Sequence, residues 1–180
     1  MARIKEILLA LDDRRLLALN AYFEARGEYR PYGDAALLGV MVVALNRAGH
    51  PAPRRWPKTV AGVLTQRAQF SWTLASDPQY LTAWKMAQAM RQSQVIKAGN
   101  VWERCLQLAN LLLAGAVVNP VANATYYYNP QVCNPAWAKA MAETALIGHH
   151  RFMCDPKIDP AVIWRCKNPI DKSAGAALKS

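Results

Sequence analysis

The chain has 180 residues and a formal net charge of +10; 53% of its residues are hydrophobic and 19% are charged. This length suits one domain that buries roughly 70% of its unfolded surface, so folding requires neither disulfides nor a metal. The composition excludes an intrinsically disordered chain. The excess of 22 Lys and Arg over 12 Asp and Glu favours polyanionic partners: nucleic acid, an anionic membrane surface or bacterial cell wall.

The first half of the chain is predicted to consist mainly of three helices. A crowded apolar face over residues 13–26 predicts the first helix, with Gly27 at its end. Asp34 is a good N-cap for a second apolar helix, which Gly49 closes. A third, short helix is expected over residues 59–66.

The second half is predicted to add three helices and a small β-hairpin. Each helical pattern begins with an Asp or Asn, which caps helix N-termini well, and the patterns cover residues 77–92, 100–115 and 134–148. Residues 124–128 are β-branched and aromatic, which is typical of a strand, and residues 151–154 are a candidate partner strand. The predicted fold class is therefore α+β, mainly α, with one small β-hairpin.

One folded domain is expected over residues 1–155, followed by a basic tail over residues 156–180 that packs on the domain or extends from it. No apolar run approaches the roughly 18 to 20 residues that a membrane-spanning helix requires, and no secretory signal pattern is present. The four cysteines lie far apart without a Cys-x-x-Cys pair. Free thiols and one disulfide among the last three cysteines remain alternatives, and no metal site or other cofactor is expected.

Glu24 is the carboxylate that helix capping and surface ion pairing explain least well. It follows Tyr22 and Phe23 on an apolar helix, where desolvation raises the pKa of a carboxyl group, as a general acid requires. Neither Asn20, four residues earlier, nor Glu28, four residues later, offers the basic partner of a helical salt bridge. From the pattern alone, a catalytic acid and a surface residue remain alternatives.

Five short stretches, in order along the chain, resemble motifs of a known family. They are residues 22–28 (Tyr-Phe-Glu-Ala-Arg-Gly-Glu), 57–64 (Pro-Lys-Thr-Val-Ala-Gly-Val-Leu), 69–72 (Gln-Phe-Ser-Trp), 124–130 (Ala-Thr-Tyr-Tyr-Tyr-Asn-Pro) and 147–152 (Ile-Gly-His-His-Arg-Phe). Together they resemble the cell-wall hydrolase family of the bacterial spore cortex-lytic enzymes. The resemblance implies a compact, mostly helical lysozyme-like fold that cleaves peptidoglycan as a lytic transglycosylase.

By this resemblance Glu24 is the catalytic acid. A lytic transglycosylase attacks C1 of muramic acid with that sugar's own C6 hydroxyl, so one carboxylate can serve first as acid and then as base. A hydrolytic muramidase, which normally needs two carboxylates, is the alternative on the same MurNAc–GlcNAc bond. The residues interpreted as substrate-binding are Glu28, Gln69, Phe70, Ser71, Trp72, Tyr126, Tyr127, Tyr128, Asn129 and His150.

Several of these residues also have a purely structural interpretation. Glu28 either orders a loop or is a solvated partner of Arg30, and the aromatic residues of the 69–72 stretch either line a cleft or form a core pair. In a strand, Tyr127 faces opposite to its two tyrosine neighbours, so one face lines the glycan groove while the other packs. His150 either contacts the cleft or is a structural histidine.

The expected partners are the glycan strands of peptidoglycan and anionic polymers of the cell envelope, with the protein a monomer that does not insert into membranes. A nucleic-acid-binding protein is the competing interpretation, because Arg54 and Arg55 beside Trp56 could join phosphate contacts to base stacking. The basic residues are dispersed and form no recognised binding motif, which disfavours it. Without a signal peptide, the protein is expected to remain in the cytoplasm until release to the wall, as a phage endolysin does; a bacterial hydrolase exported by a non-classical route is the alternative.

Overall fold

The computed structural model describes residues 3–52, 55–67 and 69–161; Arg54 and the tail from residue 162 lie outside them. The predicted class, α+β and mainly α, is confirmed. In the described residues, six α-helices precede a three-stranded sheet, and 3-10 helices lie at Ser71–Thr73 and Ala136–Ala140. The elements are α1 (Ile4–Leu8), α2 (Asp13–Tyr32), α3 (Asp34–Gly49), α4 (Val60–Thr65), α5 (Tyr80–Arg91), α6 (Asn100–Ala114), β1 (Tyr126–Tyr128), β2 (Ala142–Ile147) and β3 (His150–Cys154).

The centre of the domain is α3, whose sequence is apolar on all sides. Residues 36–47 are all buried, as expected of a helix that is surrounded by other elements. The neighbours of α3 include α2, α4, α6 and the sheet. Asp34 is the first residue of this helix, and the N-cap is Gly33. The Asp34 carboxylate accepts a hydrogen bond from Nε of Arg104 on α6 at 2.8 Å.

The predicted end of the first long helix at Gly27 is wrong, because α2 continues to Tyr32. A glycine inside a helix costs about 1 kcal/mol relative to alanine, and the packing of α2 along α3 and α6 outweighs that cost. The helix ends instead at Gly33, whose φ of +66° turns the chain into α3. As a consequence, Glu28 lies one helical turn after Glu24 on the same element.

The sheet is antiparallel, with strand order β1-β3-β2. The predicted pairing of β1 with β3 is confirmed, with Tyr127 opposite Phe152. The helix predicted over 134–148 is wrong. This segment forms the short 3-10 helix and then β2, which pairs with β3 through a turn at Gly148 (φ +59°). Its alanines favour a helix locally, but the β3 edge offers backbone hydrogen bonds that a local pattern cannot reveal.

The remaining helix ends agree with prediction to within a few residues. Thr59 caps α4 by accepting a hydrogen bond from the Gly62 amide at 3.0 Å. The helix predicted from Asp77 starts only at Tyr80, because Asp77 forms a turn with the amide of Gln79. The predicted capping of α6 by Asn100 is also wrong, since Gly99 is the capping residue.

The described part of the predicted tail packs onto the domain through Asp159. Its buried carboxylate accepts hydrogen bonds from the Thr125 hydroxyl at 2.6 Å and the Asp155 amide at 2.7 Å. His50 Nε2 lies 3.0 Å from the other carboxylate oxygen, while His50 Nδ1 accepts from the Ala52 amide. Residues 155–161 are thereby joined to the end of α3 and the start of β1.

In the described ranges, none of the helices combines the length and the apolar character that crossing a membrane requires. The His, Cys, Asp and Glu side chains of these ranges form no group of three or more that could hold a metal ion. Within the same ranges Cys105, Cys133 and Cys154 are free thiols.

Candidate active site

A cleft of about 500 Å³ lies between α2, the loop around Ser71, and β1 with the segment that follows it. Glu24 lines this cleft, together with Arg47 and Tyr127. A second cavity of about 360 Å³, between α5, α6 and the start of α2, contains none of the residues predicted for the site. The first cleft is therefore the candidate active site.

The pKa of the Glu24 carboxyl group is raised above its ordinary value into the range that suits a general acid. Burial raises its pKa from 4.5 to about 7, and Asp77 adds a smaller contribution in the same direction. A hydrogen bond from Tyr127 and the positive charge of Arg47 lower the pKa, but they do not outweigh burial. Near neutral pH a substantial fraction of Glu24 therefore carries a proton that it can donate to a bound substrate.

Tyr127 orients this carboxyl group. Its hydroxyl donates a hydrogen bond to Oε2 of Glu24 at 2.8 Å, and burial, followed by the nearby Glu24 charge, raises the pKa of the phenol well above 10. The hydroxyl thus remains a donor. Its ring packs against His150 and Phe152, with centroids 5.4 and 5.7 Å away, so the sheet fixes the ring in place.

Arg47, at the end of α3, is a buried cation beside the acid. Its Nε donates to the Thr125 carbonyl at 2.7 Å, and its guanidinium lies 4.5 Å from the centre of the Trp56 ring. The Nη1 atom has no hydrogen-bond partner among the described residues. Arginine stays protonated under all ordinary conditions, so Arg47 stabilises the carboxylate form of Glu24.

Asn46 precedes Arg47 and fixes the same stretch of chain. Its Nδ2 donates to the carbonyls of Ala122 and Ala124 at 3.0 and 2.9 Å. Asn46 and Arg47 thus both bind the backbone that leads into β1, which positions Tyr127 over Glu24.

Five of the residues predicted for substrate binding line the cleft in addition to Tyr127. His150 is among them, and burial lowers the pKa of its imidazole, which favours the neutral ring. Its Nδ1 has no hydrogen-bond partner in the described structure. The other four are Gln69, Ser71, Tyr128 and Asn129.

Phe70, Trp72 and Tyr126 were predicted to bind substrate, and the structure places them behind the cleft. Phe70 and Trp72 are 1% and 0% exposed, and Trp72 stacks on Phe23 and donates through Nε1 to Asn20 at 3.4 Å. The alternative interpretation as core residues is the correct one for both. Tyr126 faces away from Tyr127, as strand alternation requires, and packs against aromatic neighbours.

Glu28 was also predicted to bind substrate, and it instead joins α2 to the β2–β3 turn. Its carboxylate accepts hydrogen bonds from the His149 amide at 3.1 Å and lies 2.9 Å from His149 Nδ1. Burial raises its pKa, but the hydrogen bonds from His149 outweigh burial and hold the pKa below the ordinary value. Glu28 therefore orders a turn, which is one of the two structural roles open from the sequence, and is not a partner of Arg30.

The comparison with protein families gives a match to the model of the cell wall hydrolase family over residues 33–153, two thirds of the chain. The chain belongs to the cell wall hydrolase family. The matched residues contain Arg47, Tyr127 and His150. Glu24 and Glu28 precede them, so the assignment of Glu24 depends on the geometry of the cleft.

Individual relatives agree with this membership. The chain is 30% identical over 142 residues to a spore cortex-lytic enzyme of Oceanobacillus iheyensis and 31% identical to that of Bacillus subtilis. Each alignment covers 78% of this chain but only 41% and 37% of the relatives, so the chain spans about two fifths of their length. Among solved structures, the catalytic domain of the germination-specific lytic transglycosylase SleB from Bacillus anthracis matches with a TM-score of 0.50 at 24% identity. That match covers 79% of this chain and 93% of the SleB domain, and it supports the same fold.

Several cleft residues of this family member were not predicted from its sequence. Leu74, Val132, Pro135 and Trp137 also line the cleft. Three of them belong to the segment after β1, and two of these, Pro135 and Trp137, lie where a helix was expected from Asn134. The sequence did contain a signal for these cleft residues, namely the proline, aromatic and apolar residues that follow Asn129. A helix in contact with solvent does not require such residues.

Proposed function

We propose that the chain cleaves the β-1,4 bond between MurNAc and GlcNAc in peptidoglycan as a lytic transglycosylase, with Glu24 as acid and then base. The observation that carries the proposal is a single carboxylate with a pKa near 7 in an open cleft. Among the described residues that line this cleft, Glu24 is the only carboxylate. Membership of the cell wall hydrolase family supports the choice of substrate.

The chemistry needs one proton to leave Glu24 and another to return. Glu24 donates its proton to the glycosidic oxygen as the C1–O bond breaks, and the bonding electrons remain on that oxygen. The C6 hydroxyl of the muramic acid then attacks C1 and gives its proton to the Glu24 carboxylate. The product is a 1,6-anhydro sugar, no water is consumed, and Glu24 is again protonated. Between the two steps Arg47 stabilises the carboxylate, and Tyr127 holds its orientation.

Hydrolysis of the same bond would need a second group that activates water. Glu28 is the nearest candidate by sequence, but both of its oxygens contact His149, and it does not line the cleft. This arrangement favours intramolecular attack by the C6 hydroxyl over attack by water.

Mass spectrometry of digested peptidoglycan tests the proposal. Purified Gram-negative sacculi are incubated with the wild type or with Glu24→Gln, and the soluble fragments are compared before and after borohydride reduction. Wild type should release muropeptides one water lighter than hydrolytic products and resistant to reduction, while the variant releases at least about 10³-fold less. Thermal unfolding of the variant shows that the loss is chemical. Reducible muramic ends would make the enzyme a hydrolase, and no release by wild type would overturn the proposal.

The proposal includes the place of action, which is the bacterial wall after release from the cytoplasm. The net charge of +10 favours adsorption to anionic envelope polymers. Because exposed charges are screened beyond about 10 Å at 0.1 M salt, adsorption of Glu24→Gln to sacculi should fall steeply between 0.05 and 0.5 M NaCl, on the order of tenfold or more. Retention that is unchanged across this range would contradict a charge-driven adsorption.

A further inference from the structure

The lining of the cleft divides into two groups of side chains. One is polar and includes Glu24, Arg47 and Gln69. The other is aromatic and apolar and includes Tyr128, Val132 and Trp137, and the Trp137 side chain is partly buried. The catalytic proposal uses Glu24, Arg47 and Tyr127 and gives no role to Trp137.

Trp137 belongs to the 3-10 helix at Ala136–Ala140, and two tyrosines of β1 hold its ring. The ring centroids of Tyr126 and Tyr128 lie 5.0 and 5.5 Å from that of Trp137. Tyr126 in turn packs against Trp56 at 5.7 Å, and its hydroxyl accepts a hydrogen bond from Arg55 at 2.5 Å. Of this series of rings, Tyr128 and Trp137 reach the cleft. We call these two residues the aromatic platform.

The platform is fixed before any ligand arrives. Edge-to-face and offset contacts at these distances are favourable, and they restrict the rotamers of both rings. Binding to such a surface therefore loses little side-chain entropy. Val132, which is 80% exposed, adds a further apolar surface to the same cleft.

We propose that Trp137 and Tyr128 form a stacking subsite for one pyranose ring of the glycan, next to the bond that Glu24 cleaves. This proposal rests on the proposed function. A pyranose ring has apolar faces made of axial C–H groups, while its hydroxyl and N-acetyl groups project from the edge. An aromatic platform covers such a face, and Gln69 and Asn129 supply polar groups to the same cleft for the ring edge.

A nucleic-acid base is the other ligand that stacks on aromatic rings. Its binding also requires cations that contact the phosphates on either side. Among the described residues that line this cleft, the Lys or Arg side chain is that of Arg47, which is 5% exposed and donates to the Thr125 carbonyl. The observations therefore favour a sugar, and an oligonucleotide becomes a competitor in the test.

The experiment uses the Glu24→Gln background, in which glycan binds without being cleaved. Glycan strands freed of stem peptides by an amidase are titrated into the protein, and tryptophan fluorescence and heat of binding are recorded. Trp137→Ala should weaken affinity about tenfold or more, and Trp137→Phe should keep most of the affinity but lose the fluorescence change. The matched control is Trp84→Phe on α5, which does not line the cleft and should retain both signals.

The outcomes separate this proposal from the catalytic one. If wild type releases anhydro products while Trp137→Ala binds glycan as tightly as its parent, the subsite is wrong and the function stands. If wild type releases nothing but glycan binding still depends on Trp137, the subsite stands and the function is wrong. Displacement of the glycan by single-stranded oligonucleotide with a similar dependence on Trp137, or no glycan binding at all, would overturn the subsite.

Discussion

The hydroxyl of Tyr127 donates a hydrogen bond to Oε2 of Glu24 over 2.8 Å, although the two residues are 103 positions apart in the chain. The contact joins β1, which consists of three tyrosines, to α2, which carries Glu24. It stabilises the charged form of Glu24, and burial stabilises the protonated form more strongly. The balance leaves the pKa of Glu24 at about 7. Near neutral pH such a group can both donate and accept a proton.

Removing the Tyr127 hydroxyl should shift the pH dependence of activity upward. Glu24 must be protonated to start the reaction, so the wild-type rate should fall as the pH rises through about 7. Tyr127→Phe removes a contact that lowers this pKa, while Arg47 and Asp77, the charges that act on Glu24, remain. The alkaline limb should therefore move to higher pH, and the maximal rate should drop about tenfold or more because the carboxyl is less well oriented. A limb that stays in place or moves to lower pH in release assays would contradict the assignment.

Replacing the acid itself should stabilise the fold at alkaline pH. The pKa of Glu24 is raised on folding, so its contribution to stability is complete below pH 4.5 and is lost as the pH rises through about 7. Glu24→Gln carries no charge and keeps an acceptor for Tyr127. In urea unfolding the variant should exceed wild type by roughly 2 to 3 kcal/mol at pH 8 and should be nearly equal to it at pH 4. An equal difference at both pH values would show that Glu24 is not desolvated.

The bond between Glu28 and His149 should contribute to stability more through the backbone than through the imidazole. Glu28→Ala leaves the His149 amide without its acceptor and should cost about 1 to 2 kcal/mol in urea unfolding at pH 7. His149→Ala keeps that amide bond and loses only a ring that is 40% exposed, so it should cost about 0.5 kcal/mol. Because the pKa of Glu28 is lowered, its ionic contribution exists above about pH 4.5 and should disappear as the pH falls below it. Equal costs for the two variants at pH 7 would contradict this division.

Asp159 should be essential to stability although it lies beyond the residues that match the family model. Its replacement by alanine leaves three donors without an acceptor: the buried Thr125 hydroxyl and His50 Nε2, and the partly buried Asp155 amide. We expect a loss of about 3 kcal/mol or more, measured as a lower midpoint in urea. Asp155→Ala is the control, because its contact with Arg55 is long, at 3.5 Å, and partly exposed. A loss below about 1 kcal/mol for Asp159→Ala would mean that residues 155–161 do not pack as described.

Two glycine-to-alanine changes should have opposite signs. A Cβ at Gly39 on α3 would come within 2.6 Å of Cζ of Phe152, whose side chain is fully buried. Gly39→Ala should therefore cost about 1 to 3 kcal/mol, and Phe152→Leu should remove part of that cost in the double variant. A Cβ at Gly27 meets nothing within 4 Å, so Gly27→Ala should gain about 0.5 to 1 kcal/mol from helix propensity. Thermal unfolding of the three single variants and the double variant measures both effects.

The sequence by itself determined the fold class, most of the helices and the pairing of β1 with β3, and it singled out Glu24 as the candidate acid. Helical periodicity, capping residues and a β-branched aromatic stretch are local signals, and they follow from contacts between residues close in the chain. Glu24 could be selected because a carboxylate on an apolar helix without a basic partner is rare enough to stand out. The resemblance of five ordered motifs then gave it a role.

The tertiary structure decided what lies across from each residue. Trp72 and Trp137 are both tryptophans near polar residues in the sequence, yet one stacks on Phe23 in the core and the other lines the cleft. An aromatic side chain is stabilised by burial in either place, so the pattern cannot choose between them. The local pattern also cannot predict β2. Its alanines favour a helix, but the segment is a strand because it pairs with β3 through backbone hydrogen bonds. The pKa of Glu24 is likewise a property of the assembled fold. Glu24 lies on α2, and its pKa depends on burial by the surrounding elements, on Tyr127 of β1 and on Arg47 of α3.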